Sequence, residues 1–392
     1  MSKVDDKKIE ELLTRGVEKI YPDKESLERV LKSGKKIRLY NGIDPTGRLH
    51  LGHLIVLRKL RQFQDLGHEV IVLMGNFTAT IGDPTDKAAA RKPLTGKEVM
   101  ENAKSYKGLI GKILDLKKTN VRFLYNEKWD NALSPAQLLE IFSYFNVARL
   151  LERDMFRERI KRGKNILLHE FVYPVFQAYD SVAMDVDLEV GGNDQTFNML
   201  QGRDLMEKMG KKEKFVMALK LLTDPSGKKM GKTEENSISL GENPKEIFGK
   251  IMSWPDSLLT TGLELLTGIS SREAKGLLDR PKNAKIHLAK EVVQALHGQK
   301  ASDSAEKEFN RIFKEKKLPT RIPEIKISEK SLLILDLLIK TKLAFSKSEA
   351  KRLIVQGGVK IDEEVQKDWK KKIKIKKGQV VQIGKRKFVK IG

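Results

Sequence analysis

Ile37-Arg38-Leu39-Tyr40-Asn41-Gly42-Ile43-Asp44-Pro45-Thr46-Gly47-Arg48-Leu49-His50-Leu51-Gly52-His53 is the stretch on which the reading of the fold turns. Ile37 to Ile43 reads as a strand, closed by Asp44-Pro45-Thr46-Gly47. A long helical pattern then runs from Leu51 to Leu66, with Gly67 placed to cap it. Val70 to Met74 follows as a short continuous apolar run, the form a buried parallel strand takes. Further strand candidates are Val121 to Tyr125, Leu188 to Val190 and Phe215 to Leu219, separated by helical patterns such as Pro135 to Phe145 and Phe197 to Met209. Strand and helix in alternation imply crossover connections and a parallel sheet covered on both faces. The expected fold class is therefore α/β, with a Rossmann-like doubly wound domain over residues 1–233. No Gly-x-Gly-x-x-Gly fingerprint follows the first strand, which argues against a dinucleotide site. Ligands are still expected at the carboxyl ends of the strands.

On the amino-terminal side, Ile9, Leu12, Leu13, Val17 and Ile20 recur at helical spacing and predict one amphipathic helix. On the carboxyl-terminal side, residues 234–317 turn mostly helical, as in Pro244 to Ile251 and Ala284 to Leu296, and predict an all-helical domain. Residues 318–327 hold Pro319 and Pro323 among charges, which suits a linker. Residues 328–392 give two short helical patterns and then strand-like alternation around Val380, Ile383 and Val389, a small α+β module.

The 392 residues are 40% hydrophobic, enough to bury real cores, and no apolar run approaches the eighteen residues of a membrane span. Met1 to Glu11 is charged and lacks the apolar stretch of a signal peptide. Cysteine is absent, so there are no disulfides and no thiolate metal ligands, and a cytoplasmic location is the expectation. The formal net charge is +23. Such an excess suits a polyanionic partner, RNA, DNA or an anionic membrane surface, or simply a lysine-rich chain kept soluble. Residues 328–392 carry 18 basic against 7 acidic residues, nearly half of the excess, which makes this module the expected polyanion contact.

Three constellations carry chemistry. His50 and His53 are one helical turn apart at a helix N-terminus, where backbone N–H groups and the helix dipole suit phosphate and Gly52 lets a flat base approach. His-x-x-His alone also fits a metal pair or a buried core pair. A metal is disfavoured because the other histidines, His68, His169, His287 and His297, are not in ligand spacing. Gly227-Lys228-Lys229-Met230-Gly231-Lys232-Thr233 is a glycine-containing basic loop past the last strand candidate, either a solvated loop or one whose amines reach polyphosphate. Tyr173-Pro174-Val175-Phe176-Gln177-Ala178-Tyr179-Asp180 sets Tyr173, Gln177 and Asp180 on one helix face. A phenol, an amide and a carboxylate on a buried face call for a polar ligand to pair them.

In this order the two loops resemble the His-Ile-Gly-His and Lys-Met-Ser-Lys-Ser signatures of class I aminoacyl-tRNA synthetases. Leu51 replaces the Ile, and Gly231 and Thr233 replace the two Ser, while Lys229, Met230 and Lys232 match. The 173–180 stretch resembles the tyrosine-binding helix of the tyrosyl-tRNA synthetases, which implies that Tyr173 and Gln177 hold the ammonium and Asp180 accepts the phenol. Tyr40 to Thr46 looks like that family's first strand, placing Tyr40 at the substrate hydroxyl and Asp44 among the tyrosine contacts. Thr78 and Asp83 match positions near the ammonium. Gly191-Gly192-Asn193-Asp194-Gln195 resembles the ribose and carboxyl contacts, with Gly192 and Asp194 at the ribose, Gln195 at the tyrosine, and Asn193 where Ser or Thr is usual. Leu343 to Ile361 resembles an S4 RNA-binding domain, in which Lys347, Lys351 and Arg352 meet phosphates.

The resemblance spans nearly the whole chain and implies a tyrosine–tRNA ligase. Its expected partners are L-tyrosine, ATP with Mg²⁺, tRNA(Tyr) and a second copy in a homodimer, with no tightly bound cofactor and no membrane. His50, His53, Lys229 and Lys232 are the implied catalytic contacts to ATP. A tryptophanyl-tRNA synthetase would share the fold but not this phenol-binding pair, and a non-catalytic RNA-binding paralogue would not need His50, His53 and Lys232.

Overall fold

A computed structural model describes residues 6–83, 95–223, 237–315, 318–319, 322–384 and 387–392. The chain divides into two compact units, Met1–Ser302 and Asp303–Gly392.

The first unit is built on a six-stranded sheet of β1 (Val17–Tyr21), β2 (Arg38–Ile43), β3 (Glu69–Met74), β4 (Val121–Tyr125), β5 (Leu188–Gly192) and β6 (Phe215–Leu219). Their order is β1-β6-β5-β2-β3-β4, with β2 to β6 mutually parallel and β1 antiparallel on the edge. The fold is thus mixed α/β around a mainly parallel sheet. From β2 the chain winds outward through β3 and β4, then returns to β5 on the other side of β2. That reversal opens a crevice beyond the carboxyl ends of β2 and β5. Apolar side chains fill every position of β6 and all but the first of β3, the pattern of strands covered on both faces.

The Leu51–Asp65 helix begins where expected, with His50 as its N-cap, and ends at Gly67, whose φ of +81° is the left-handed turn that a Cβ would oppose. The single amino-terminal helix expected through Ile20 is corrected. The helix is Asp6–Thr14, and Val17 and Ile20 lie on β1, paired with Leu219 and Met217 of β6. Gly16, at φ +66°, breaks the helix while the apolar spacing runs on by coincidence.

The helices Pro244–Met252, Leu259–Leu266, Ser271–Leu278 and Pro281–His297 belong to the same unit as the sheet. They bury Phe248, Leu263, Leu288 and Val292. Arg15 fastens them to the amino-terminal segment by donating to the carbonyls of Leu263, Glu264 and Thr267 at 2.9–3.1 Å. These are charge-assisted bonds to carbonyls at the end of the Leu259–Leu266 helix.

The second unit holds two helices, Ile334–Lys340 and Lys347–Val355, over β7 (Glu324–Ile325), β8 (Ser331–Leu333), β9 (Val359–Ile361), β10 (Glu364–Gln366), β11 (Lys372–Lys374), β12 (Val380–Ile383) and β13 (Lys387–Ile391). Five strands form a sheet in the order β10-β9-β12-β13-β7, and β8 pairs with β11. Because β7 pairs with β13, this sheet takes in part of the stretch read as a linker. Ile334, Leu337, Leu338, Ile354, Val359 and Val381 form its core. No helix among the described residues is long and apolar enough to cross a membrane.

Candidate active site

The crevice beyond β2 and β5 is an open cleft of about 250 Å³. Tyr40, Asp44, His50, Gly52, His53, Thr78, Asp83, Tyr173, Gln177, Asp180, Gly192, Asp194 and Gln195 all line it. The structure therefore brings together, from four separate stretches of sequence, every expected ATP and tyrosine contact among the described residues. Lys229 and Lys232, with their loop, lie outside the described residues.

At the mouth, the Gly52 N–H donates to His50 Nδ1 at 3.1 Å and the His50 N–H donates to His53 Nδ1 at 3.1 Å. The helix N-terminus is therefore capped from within, and the Leu51 N–H donates to the Ile238 carbonyl at 3.1 Å. This corrects the expectation of unpaired backbone donors waiting for phosphate. With each Nδ1 spent as an acceptor, each ring carries its proton on Nε2. The ring centroids are 4.1 Å apart. A Cβ on Gly52 would come within 2.9 Å of the His50 ring. The missing side chain makes room for the histidine that caps the helix.

Deeper in, polar side chains are held in a connected set. Tyr173 Oη donates to Asp44 Oδ2 at 2.9 Å, and Thr78 Oγ1 donates to Asp44 Oδ1 at 2.7 Å. Gln195 Nε2 and an Arg153 guanidinium nitrogen donate to the two oxygens of Asp83, at 3.1 and 3.0 Å. Asn198 bridges Gln195 to Gln177, whose own Nε2 donates to Glu189 at 3.1 Å. Burial, reinforced by Asp44 and Asp83, pushes the Tyr173 phenol well above its usual pKa. The expectation that this helix face needs a ligand to pair its polar groups is thus corrected, because the protein supplies first partners. What remains is a preorganised cluster with two carboxylates, suited to an ammonium group.

At the closed end, Tyr40 and Asp180 are both buried. Trp129 Nε1 donates to Asp180 Oδ1 at 2.8 Å. Burial, with Asp130 and Glu189 close by, raises the Asp180 pKa well above the usual carboxylate range. Asp130 itself is pushed up to about 8 by burial, and neither of its oxygens has a hydrogen-bond partner. Asp180 takes a donor from Trp129 while neither Asp130 oxygen has a partner among the described residues, and burial of the two carboxyls together makes the pair hold a proton between them.

Sequence reasoning missed Trp129, Glu189, Asn198 and Arg153. Trp129 follows β4 by a few residues and Glu189 sits within β5. A parallel sheet carries its site at strand carboxyl ends, so a polar or aromatic residue just past any strand candidate is a usable signal. Gly75, directly after β3, was also missed. A Cβ there would fall 2.1 Å from Asp44 Oδ1 and 2.5 Å from Thr78 Oγ1, so only glycine lets that pair form.

In the second unit, Lys347, Lys351 and Arg352 lie on the Lys347–Val355 helix, which Ser346 caps. Lys347 pairs with Asp336 at 2.7 Å, and the Lys351 ammonium stands 4.2 Å from the centre of the Trp369 ring. Phe345, just before the helix, is 88% exposed.

A parallel sheet with a capped histidine pair and a carboxylate-lined pocket at its switch point defines a nucleotide-using α/β enzyme that also takes a small amine. The chain matches the family model of class I tRNA synthetases (W and Y) over residues 32–314, and it belongs to that family. Residues 314–391 match the tyrosine–tRNA ligase SYY-like C-terminal domain. The tyrosine–tRNA ligase of Carboxydothermus hydrogenoformans is 44% identical over 97% of both chains. That of Thermotoga maritima is 42% identical over 97% of this chain and 96% of its own. Among solved structures, a C-terminally truncated mitochondrial tyrosyl-tRNA synthetase of Aspergillus nidulans superimposes with a TM-score of 0.67 at 24% identity, covering 78% of this chain and 94% of its own. An Archaeoglobus fulgidus tyrosyl-tRNA synthetase complexed with L-tyrosine gives 0.58 at 21% identity over 77% and 99%. Within the class I family the chain is a tyrosine–tRNA ligase, which uses ATP to join tyrosine to its tRNA.

Proposed function

We propose that the cleft binds tyrosine with its phenol against Tyr40 and Asp180 and its ammonium among Tyr173, Gln177, Thr78, Asp83 and Asp44, with Gln195 beside the carboxylate. ATP enters at the mouth, its ribose at Gly192 and Asp194 and its phosphates under the Nε2–H donors of His50 and His53. Mg²⁺ arrives with ATP as part of the substrate and neutralises phosphate charge. The tyrosine carboxylate, already ionised, attacks the α-phosphorus in line. A carboxyl O–P bond forms and the bond to pyrophosphate breaks, with no general base required. Catalysis is then positioning plus charge neutralisation, to which Lys229 and Lys232 contribute by closing over the pyrophosphate. In the second step a ribose hydroxyl at the 3′ end of the tRNA attacks the adenylate and releases AMP.

The observation that carries this reading is the convergence of His50, His53, Tyr173, Gln177 and Asp180 on one cleft. Asp180→Asn tests it by keeping the shape and altering the partner of the phenol. Selectivity for tyrosine over phenylalanine in ATP–pyrophosphate exchange is expected to shrink. Equal losses with both amino acids contradict the assignment.

The same reading makes residues 1–233 the Rossmann-like catalytic domain, 234–317 the helical domain facing the anticodon region, 318–327 a linker whose Glu324–Ile325 strand joins the tail sheet, and 328–392 an S4 RNA-binding domain. Lys347, Lys351 and Arg352 then meet tRNA phosphates, as the basic excess of this segment supports. The working form is a cytoplasmic homodimer. Leu139, Val147 and Leu168, 68%, 63% and 80% exposed within one thirty-residue stretch, supply apolar surface for the partner. Sedimentation equilibrium at micromolar concentration checks it, and a lone monomer contradicts it.

A further inference from the structure

Behind Tyr40 the cleft floor holds a buried amine to which the roles above give no part. Lys214, the residue before β6, is fully buried, as are Ser181 and Tyr40. Its Nζ donates to Ser181 Oγ at 2.8 Å and pairs with Glu189 of β5. Ser181 Oγ lies 2.9 Å from Tyr40 Oη. Gly202, on the Thr196–Lys208 helix, makes the space. A Cβ there would fall 2.5 Å from Lys214 Nζ and 2.7 Å from Ser181 Oγ. The three groups thus meet in a chamber that a single methyl group would close.

Counting hydrogens gives this chain a direction. A lysine ammonium only donates, so Ser181 Oγ accepts from it. Burial depresses the Lys214 pKa and Glu189 opposes that shift. If the proton passes to Glu189, the amine still has an N–H to give Ser181 and spends its lone pair on the acid. Ser181 has one hydroxyl proton, and Tyr40 Oη at 2.9 Å is placed to accept it. The neighbouring groups are already engaged. Glu189 takes donors from Lys214 and Gln177, Asp180 takes one from Trp129, and Arg203 reaches Glu213 and the Lys214 carbonyl. With Tyr40 Oη accepting from Ser181, its own O–H is the remaining donor, and it faces both Glu189 and the cleft that Tyr40 lines.

We propose that Lys214 is a positioning residue that fixes the polarity of phenol recognition. Lys214 donates to Ser181, Ser181 to Tyr40, Tyr40 to the substrate's phenol oxygen, and the phenol O–H to Asp180. The proposal rests on the reading in which Tyr40 and Asp180 meet the phenol. It makes the pocket offer one donor and one acceptor in set places. A para-hydroxyl group satisfies both. A para-amino group, a weak acceptor, satisfies only Asp180, and phenylalanine satisfies neither.

The test is ATP–pyrophosphate exchange with tyrosine, 4-aminophenylalanine and phenylalanine on the wild type, Ser181→Ala, Lys214→Met and Tyr40→Phe. Ser181→Ala is expected to lower kcat/KM for tyrosine about two- to tenfold, mainly through KM, the loss expected of one hydrogen bond. The preference for tyrosine over 4-aminophenylalanine shrinks with it, because the Tyr40 hydroxyl can now turn its lone pair to the amine. The phenylalanine rate and the KM for ATP stay in place. Lys214→Met shifts the same ratio, but it strips Glu189 of its counter-charge and is the variant more exposed to misfolding. Ser181→Ala, which deletes one oxygen, therefore decides. If it slows all three amino acids equally, or leaves the ratio unmoved while Tyr40→Phe erodes selectivity over phenylalanine, the polarity proposal alone is overturned. If Tyr40→Phe leaves that selectivity intact, the site reading fails and the proposal falls with it.

Discussion

Tyr173 donates its hydroxyl proton to Asp44 Oδ2 at 2.9 Å, and that bond ties the middle of the Leu168–Met184 helix to the loop leaving β2. Thr78 holds the other Asp44 oxygen at 2.7 Å. A carboxylate gripped at both oxygens is in place before substrate arrives, so binding need not pay to order it.

Gly75 is what allows that grip. Gly75→Ala would drive a methyl group to 2.1 Å from Asp44 Oδ1 and 2.5 Å from the buried Thr78 Oγ1, so the paired side chains must shift. Overpacking of this kind costs about 1–3 kcal/mol of stability, and here it also displaces the proposed ammonium site. Thermal unfolding paired with tyrosine titration checks it. A variant with native affinity would show that Asp44 can move without consequence.

Asp130 gives a stability prediction with a definite sign. The folded chain keeps its proton up to about pH 8, whereas an unfolded aspartate releases it near 4. Between those values the folded state binds more protons, so this group's contribution to stability falls as pH rises through the window. Asp130→Asn keeps the shape and removes the titration. It should be more stable than the wild type near pH 8, with the gap closing toward pH 4 at no more than about 1.4 kcal/mol per unit. Urea unfolding at several pH values measures this, and a gap that widens on acidification would contradict it.

These two residues also mark where sequence reading stops. Tyr173, Gln177 and Asp180 were legible because one helix repeats every three to four residues and puts them on a single face. β2, β3 and the Leu51–Asp65 helix were legible from their apolar runs and end signals. Lys214 and Glu189 meet only because β5 and β6 lie side by side, and no local period relates them. Gly75 reads as an ordinary strand end until Asp44 and Thr78 are seen converging on it. The amino-terminal helix was overextended because Val17 and Ile20 keep a helical spacing that β1 satisfies equally well by alternation.

Lys232 belongs to the loop outside the described residues, and its role is a proposal from motif order. If it neutralises the leaving pyrophosphate, Lys232→Ala loses on the order of 3 kcal/mol of transition-state stabilisation, roughly a hundredfold in activation rate, while tyrosine affinity holds. Single-turnover adenylate formation with equilibrium tyrosine binding separates the two effects. Unchanged activation removes the loop from the mechanism.

Deleting residues 322–392 removes the whole tail sheet, including β7, and leaves every proposed tyrosine and ATP contact in place. Tyrosine activation should persist while transfer to tRNA falls sharply. Each lost phosphate contact should flatten the log–log salt dependence of tRNA binding by about 0.7 to 0.9. Titrations at several salt concentrations test this, and equal slopes for full-length and truncated chains would return the tail's lysines to plain solvation.

The account turns on a cleft that reads a phenol with Tyr40 and Asp180, and ATP–pyrophosphate exchange across a panel of amino acids tests it most directly. Tyrosine should support exchange, with phenylalanine and tryptophan each slower by orders of magnitude, because a pocket built around a hydroxyl leaves Tyr40 and Asp180 without their partner when the ligand lacks one. Exchange that is absent with tyrosine, or equal with phenylalanine, would contradict it.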